Sequence, residues 1–230
     1  MGTLVSMVGK LIVFEGIEGC GKTTQLTRLC EWLTESDLFA KLRSHHHLQG
    51  LVATREPGGT VLGKSIRNLL LHPPSDSTPQ DRTELLLYAA DRAQHVDEMI
   101  RPALAAGYLV MCDRYTDSTV AYQGYGRQLD LRLIETLNQI ATGGLESDLT
   151  VWLSLDVEAG LARMRSRGQA DRIEKSGIAF HKRVQTGFET LAQQHRHRFA
   201  PIDGAQSVEA VADKIQSVVT AALQQWYPLS

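Results

Sequence analysis

The sequence predicts an α/β fold, a parallel five-stranded sheet with helices on both faces. Three observations predict it. Short apolar runs bounded by turns alternate with helical patterns along the chain, a glycine-rich turn follows the first run, and an amphipathic helix follows that turn. The first strand falls at Leu11–Phe14 and the first helix at Thr23–Thr34. A second strand at Leu51–Thr54 leads to a helix at Val61–Leu71 and a loop, "HPPSDSTPQ". Thr78 is the expected N-cap, with Pro79 the first helical residue, of a long helix over Gln80–Ala106. A third strand, Leu109–Cys112, precedes helices at Ser118–Gln123 and Leu131–Ala141. Strand Thr150–Leu155, helices Val157–Arg167 and Phe180–His197, strand Phe199–Ile202 and helix Val208–Trp226 complete the series. Neither a repeat nor a linker divides residues 1–230, so a single domain is expected. In such sheets ligands lie beyond the carboxyl ends of the strands, which makes the residues just after each strand the ones to read for chemistry.

Composition narrows the function. With 43% hydrophobic and 22% charged residues the chain is that of an ordinary globular protein, and its net charge of -2 offers no general basic field for nucleic acid or an anionic membrane. Cys20, Cys30 and Cys112 are an odd, scattered set without metal-ligand spacing, which fits a reducing, cytoplasmic setting. No stretch has the apolar length of a membrane span or the pattern of a signal peptide, and Met7 is an alternative start.

The turn "FEGIEGCGKTTQ" carries Gly16-x-x-x-x-Gly21-Lys22-Thr23, the spacing of a P-loop over residues 16–23. Its glycines let backbone N–H groups converge on phosphate oxygens at a helix N-terminus. Lys22 adds a positive charge and Thr23 a hydroxyl for Mg2+, so a nucleoside triphosphate is expected there. Cys20 reads as a small space-filler, with a redox switch the less favoured alternative. A P-loop alone does not separate a hydrolase or a switch from a kinase.

Three stretches bear on that choice: "TREPGGT" after the second strand, "DRYTDSTVAYQGYGR" after the third, and "YAADRAQH" on the helix between them. Tyr88 and Arg92 are four apart and share a helix face, an aromatic plane beside a guanidinium that suits a planar base. Read alone, they are more readily a half-buried core ring and a solvated charge. Likewise "ARMRSRGQADRIE" places Arg163, Arg165, Arg167 and Arg172 either on a solvated face or in a lid, with Gly168 ending the helix on which Arg163 and Arg167 share a face.

Taken together and in order, FEGIEGCGKTTQ, TREPGGT, LLLYAADRAQH, DRYTDSTVAYQGYGR and DRIEKSGIAFHKRV closely resemble the thymidylate kinase family, of the bacterial type. The resemblance implies a P-loop nucleoside monophosphate kinase fold, transfer of the γ-phosphoryl of ATP to dTMP, a requirement for Mg2+, and a homodimer. Nucleotide contacts would come from Gly16, Ile17, Glu18, Gly19, Cys20, Gly21, Lys22, Thr23, Thr24 and Arg163, and metal contacts from Thr23 and Asp113. It implies that Tyr88 stacks on thymine, where the family usually has Phe, and that Arg92 bonds the base with Thr119 and Gln123 nearby. Tyr122 would pack against the deoxyribose and crowd the 2′ position. Arg55 and Arg114 would hold the acceptor phosphate, Glu18 would approach the acceptor sugar, and the catalytic set would be Lys22, Arg114, Arg167 and Glu18. Gly at position 19 matches the bacterial pattern in which catalytic arginines come from a lid, here about residues 162–176. Two departures stand out: about ten extra residues before "TREPGGT", with His45-His46-His47 read as a polar loop rather than a metal site, and Ser147-Asp148 where Pro-Asp is common.

Overall fold

Leu11 to Phe14 are fully buried, as a strand covered on both faces requires. They form the centre of β1 (Lys10–Glu15) in a computed structural model that describes residues 9–74, 77–165 and 172–229. The other strands are β2 (Gly50–Arg55), β3 (Tyr108–Asp113), β4 (Leu149–Ser154) and β5 (Phe199–Asp203). All pair in parallel, in the order β2-β3-β1-β4-β5. Each expected strand is present, with ends moved by one residue at most.

Side chains alternate across the sheet and so feed two cores. Ile12 and Phe14 face one that includes Leu29 and Leu33 of α1 (Lys22–Glu35), Val184 and Phe188 of α9 (Ile178–Gln194), and Ile215 and Val219 of α10 (Val208–Trp226). Leu11 and Val13 face the other, with Val110, Val96 and Ile100. The remaining helices are α2 (Asp37–Ser44), α3 (Val61–Leu71), α4 (Asp81–His95), α5 (Arg101–Ala105), α6 (Thr116–Thr119), α7 (Leu131–Thr142) and α8 (Val157–Arg165).

The structure adds one element to the sequence reading and corrects it in three places. The sequence assigned no element to the extra segment before β2. It folds as α2, capped by Ser36 accepting from the Phe39 N–H and held by buried Phe39 and Leu42, a pattern too short to stand out as a period. In the turn that follows, the His45 and His47 rings stack 6.4 Å apart, with His45 Nδ1 2.9 Å from the Lys41 carbonyl and the His47 ring 5.8 Å from Tyr227. The helix expected from Gln80 begins at Asp81 with Gln80 as its cap, not Thr78, and burial of Glu84 and Leu85 sets its phase. It also does not run unbroken to Ala106. Pro102 lacks an N–H to continue the ladder, and a π-helical stretch, Val96–Ile100, separates α4 from α5. A second π-helical stretch, Val120–Gly126, replaces most of the helix expected at Ser118–Gln123. Both widened turns lie beside the cleft described next.

Candidate active site

At the carboxyl ends of the strands lies a cleft of about 630 Å3. One wall is the turn from β1 into α1. Gly21 caps α1 in the left-handed conformation without a side-chain bond, which leaves the first N–H groups of the helix facing outward. Gly19 has φ of +76°, and a Cβ there would meet the Gly160 carbonyl at 2.2 Å. Gly160 in turn admits no Cβ, because the Glu18 carbonyl lies 2.6 Å from where one would sit. The phosphate loop and α8 therefore touch backbone to backbone, which leaves no room for an arginine at position 19.

Lys22 is buried, its Nζ donating to the carbonyls of Gly16 at 3.0 Å and Ile17 at 2.9 Å. Thr23 Oγ1 donates to Asp113 Oδ2 at 2.7 Å, joining the start of α1 to the end of β3. These are hard oxygen donors of the kind that suits Mg2+ alongside nucleotide phosphates, and one carboxylate is enough where phosphates complete the shell. Accordingly, the described residues hold no group of three or more His, Cys, Asp or Glu side chains suited to a metal. Cys20 is buried, with Sγ 3.6 Å from Lys22 Nζ, so it fills the loop from within.

Arg114 occupies the middle of the cleft. Its φ of +71° is rare for a residue with a side chain, and strain of this kind persists only where the surroundings over-determine it. Here they do: Nη1 donates to the Gly16 carbonyl at 3.1 Å and Ser118 Oγ at 3.0 Å, and Nη2 to Glu18 Oε1 at 2.9 Å and the Tyr122 hydroxyl at 3.1 Å. Tyr122 also donates to Glu18, at 2.7 Å. Burial alone would raise the Glu18 pKa, but Arg114, Lys22 and the Tyr122 bond outweigh it and hold the carboxyl below the usual range. Beneath them Glu15 is fully buried and accepts from the Tyr115 and Ser118 N–H groups and the Ser118 hydroxyl. Burial pushes it up to about 7, with Arg114 opposing and Asp117 reinforcing the shift.

The opposite wall contains Tyr88, Arg92, Thr119, Tyr122 and Gln123, with Arg55 at the end of β2. Arg92 is neither a solvated charge nor a loose one. It is 2% exposed and donates to Glu56, Thr119, Asn138 and the Tyr115 carbonyl, leaving one Nη2 hydrogen of its five donors. Glu56 also pairs with His95, whose other nitrogen lies 2.7 Å from Thr54 Oγ1. The sequence reading missed Glu15, Glu56, His95 and Glu84 as buried partners of the site. The available signal was position, since Glu15, Glu56 and His95 lie within stretches already singled out and Glu84 directly precedes one.

Of the expected residues, the cleft gathers Glu18, Gly19, Gly21, Lys22, Thr23, Thr24, Arg55, Tyr88, Arg92, Asp113, Arg114, Thr119, Tyr122 and Gln123. Gly16, Ile17 and Cys20 lie behind the loop, outside the lining. Arg163 stands off the cleft and donates to the Gly204 carbonyl at 3.0 Å, in the loop after β5. Arg167 and Gly168 lie outside the described residues. The C-terminal end of the expected lid does reach the cleft: Ile173 and Glu174 line it, and Arg172 crosses to Glu84 and the Leu70 carbonyl.

A five-stranded parallel sheet of order β2-β3-β1-β4-β5, with a glycine-rich loop entering α1 at the carboxyl end of β1, is the architecture of the P-loop nucleoside monophosphate kinases. The family model for thymidylate kinase matches residues 14–215. A thymidylate kinase from Cyanothece sp. is 57% identical over 96% of this chain and 98% of its own length. One from Acaryochloris marina is 54% identical over 96% and 100% respectively. The crystal structure of thymidylate kinase from Ehrlichia chaffeensis superposes with a TM-score of 0.71 at 32% identity, covering 93% of this chain and 99% of that one. The chain belongs to the thymidylate kinase family.

Proposed function

We infer that the protein transfers the γ-phosphoryl group of ATP to dTMP, giving ADP and dTDP. The observation that carries this is the opposition, across one cleft, of Lys22 and Thr23 on the phosphate loop to Tyr88, Arg92 and Gln123 on the far wall. The N–H groups at the start of α1 and Lys22 would hold the ATP phosphates. Thr23 and Asp113 would hold Mg2+, which supplies charge neutralisation across the β- and γ-phosphates. Arg55 and Arg114 would bring the acceptor phosphate in line. One of its oxygens then bonds to the γ-phosphorus as the bond to the bridging oxygen breaks, and that electron pair leaves on ADP. No general base is needed, because the acceptor phosphate is already largely ionised near neutral pH.

On the acceptor wall, Tyr88 would stack on the base and Arg92 would donate its remaining hydrogen to it, with Thr119 and Gln123 alongside. Tyr122 would exclude a 2′-hydroxyl. Glu18, held by Arg114 and Tyr122, sits between the two phosphate sites and keeps the arginine aimed. Arg167 would add charge to the transfer on lid closure, and Arg163 would support the nucleotide through the Gly204 loop.

We infer a homodimer through α3, α4 and α7. These helices pack in series and expose Leu62, Leu69, Leu86 and Ile140, apolar side chains that a second copy of the chain would cover. A cytoplasmic location fits the three free cysteines and the cytosolic supply of nucleotides. No described helix is long and apolar enough to cross a membrane. The decisive experiment is an ATP-coupled assay of the purified chain with dTMP, dUMP, UMP, CMP, GMP and thymidine. Preference for dTMP supports the reading, and equal use of another acceptor overturns it. Sedimentation of the same sample tests the dimer.

A further inference from the structure

Glu84, in the first turn of α4, is fully buried, and three side chains from elsewhere in the chain converge on its carboxylate. Gln123 donates from Nε2 to Oε1 at 2.8 Å, Arg127 donates from Nη2 to Oε2 at 3.1 Å, and Arg172 donates from Nη2 to the same oxygen. Arg127 belongs to the fixed frame, its guanidinium stacked 4.8 Å over Phe180 of α9. Arg172 stands at the C-terminal root of the expected lid and is tied to the end of α3 by a 2.9 Å bond to the Leu70 carbonyl. These arginines hold the Glu84 carboxyl below its usual range against the opposing effect of burial, so it is an ionised, acceptor-only group.

An amide facing an ionised carboxylate has one choice, because the carboxylate has no hydrogen to give. Gln123 must present its N–H group to Glu84 and turn its carbonyl oxygen the other way, and Gln123 borders the cleft. We propose that Glu84 is a specificity-determining positioning residue: by fixing the Gln123 amide it presents an acceptor oxygen to the base, and through Arg172 it anchors the lid root to that same wall. The oxygen favours a pyrimidine whose ring N3 carries hydrogen, as in thymine. It repels cytosine, whose N3 presents a lone pair. This inference rests on the acceptor wall assigned above.

The test compares kcat/KM for dTMP and dCMP in the wild type, Glu84→Gln, Gln123→Leu and the double variant. Glu84→Gln lets both amides rotate, so the dTMP:dCMP ratio should fall about 10-fold or more, the cost of one misdirected buried hydrogen bond. Gln123→Leu should lower the ratio similarly, and the double variant should fall no further, because the two residues act as one unit. An unchanged ratio in folded Glu84→Gln, with both acceptors slowed equally, would reduce Glu84 to a structural ion and overturn the proposal. So would strictly additive losses. Should Glu84→Gln fail to fold, Glu84→Asp is read the same way, since it keeps the charge for the arginines and withdraws the carboxylate from Gln123. Absence of dTMP turnover in the wild type would instead defeat the functional reading beneath it.

Discussion

Thr23 Oγ1 and Asp113 Oδ2, ninety positions apart in sequence, lie 2.7 Å apart where the first turn of α1 meets the end of β3. The contact places a hydroxyl and a carboxylate beside the helix N-terminus. Asp113→Asn keeps the shape and removes the charge, so the Mg2+ concentration for half-maximal rate should rise about 10-fold or more while dTMP binding changes little. Titration of the rate with Mg2+ at fixed ATP and dTMP checks this, and an unshifted titration would remove Asp113 from the metal site.

Lys22 packs its stem into the loop, and its ammonium donates to the Gly16 and Ile17 carbonyls and touches Cys20. Lys22→Ala should therefore leave the thermal midpoint near that of the wild type and lower kcat by about 10²–10³, as loss of one contact to developing charge commonly does. Near-normal turnover in a folded variant would refute the phosphate-loop assignment.

Glu15 gives a stability prediction with a definite sign. Its carboxyl is raised to about 7 in the folded protein from 4.5, so between those pH values the unfolded chain loses the proton while the folded one keeps it. Stability contributed by this group is thus complete below about pH 4.5 and declines as pH rises to 7, by an amount on the order of 3 kcal/mol. Asp91, raised to about 6 by burial and the nearby Glu56, adds a change of the same sign. Thermal midpoints from pH 5 to 8 should show a flatter profile for Glu15→Gln than for the wild type. Parallel profiles would mean that Glu15 titrates normally.

Acceptor choice separates three features of the far wall. The missing methyl of dUMP removes one apolar contact, worth about 1–3 kcal/mol, so dUMP should be a poor acceptor rather than an inert one. UMP should be worse still if, as proposed, Tyr122 crowds the 2′ position. Thymidine lacks the phosphate proposed to be held by Arg55 and Arg114, and should not react. Values of kcat/KM for the four acceptors decide this, and activity with thymidine equal to that with dTMP would contradict the role of the arginines.

Tyr122→Phe isolates the hydroxyl from the ring. The ring packs edge-on against Phe180 and Phe188 and should keep its place, so rejection of UMP should persist. Loss of the bonds to Glu18 and Arg114 should lower kcat for dTMP by roughly 10-fold. A variant that accepts UMP would show that the hydroxyl, not the ring, guards the 2′ position.

The sequence by itself determined the sheet, the glycine-rich loop and half of the cleft lining, because those depend on local properties. Apolar runs bounded by turns mark strands whatever surrounds them, and the P-loop spacing of Gly16, Gly21, Lys22 and Thr23 lies within one short turn. Only the tertiary structure decided which charges are partners. Glu15 with Ser118, Glu56 with Arg92 and His95, and Glu84 with Gln123, Arg127 and Arg172 join residues 36 to 103 positions apart. No periodicity records such pairings, since a carboxylate bound for the interior looks like a surface one until its partner is brought to it. The interlock of Gly19 with Gly160 is of the same kind. It exists because β1 and β4 are neighbours in the sheet, which places the phosphate loop against the start of α8 at backbone distance, and strand order is a property of the folded chain rather than of any one segment.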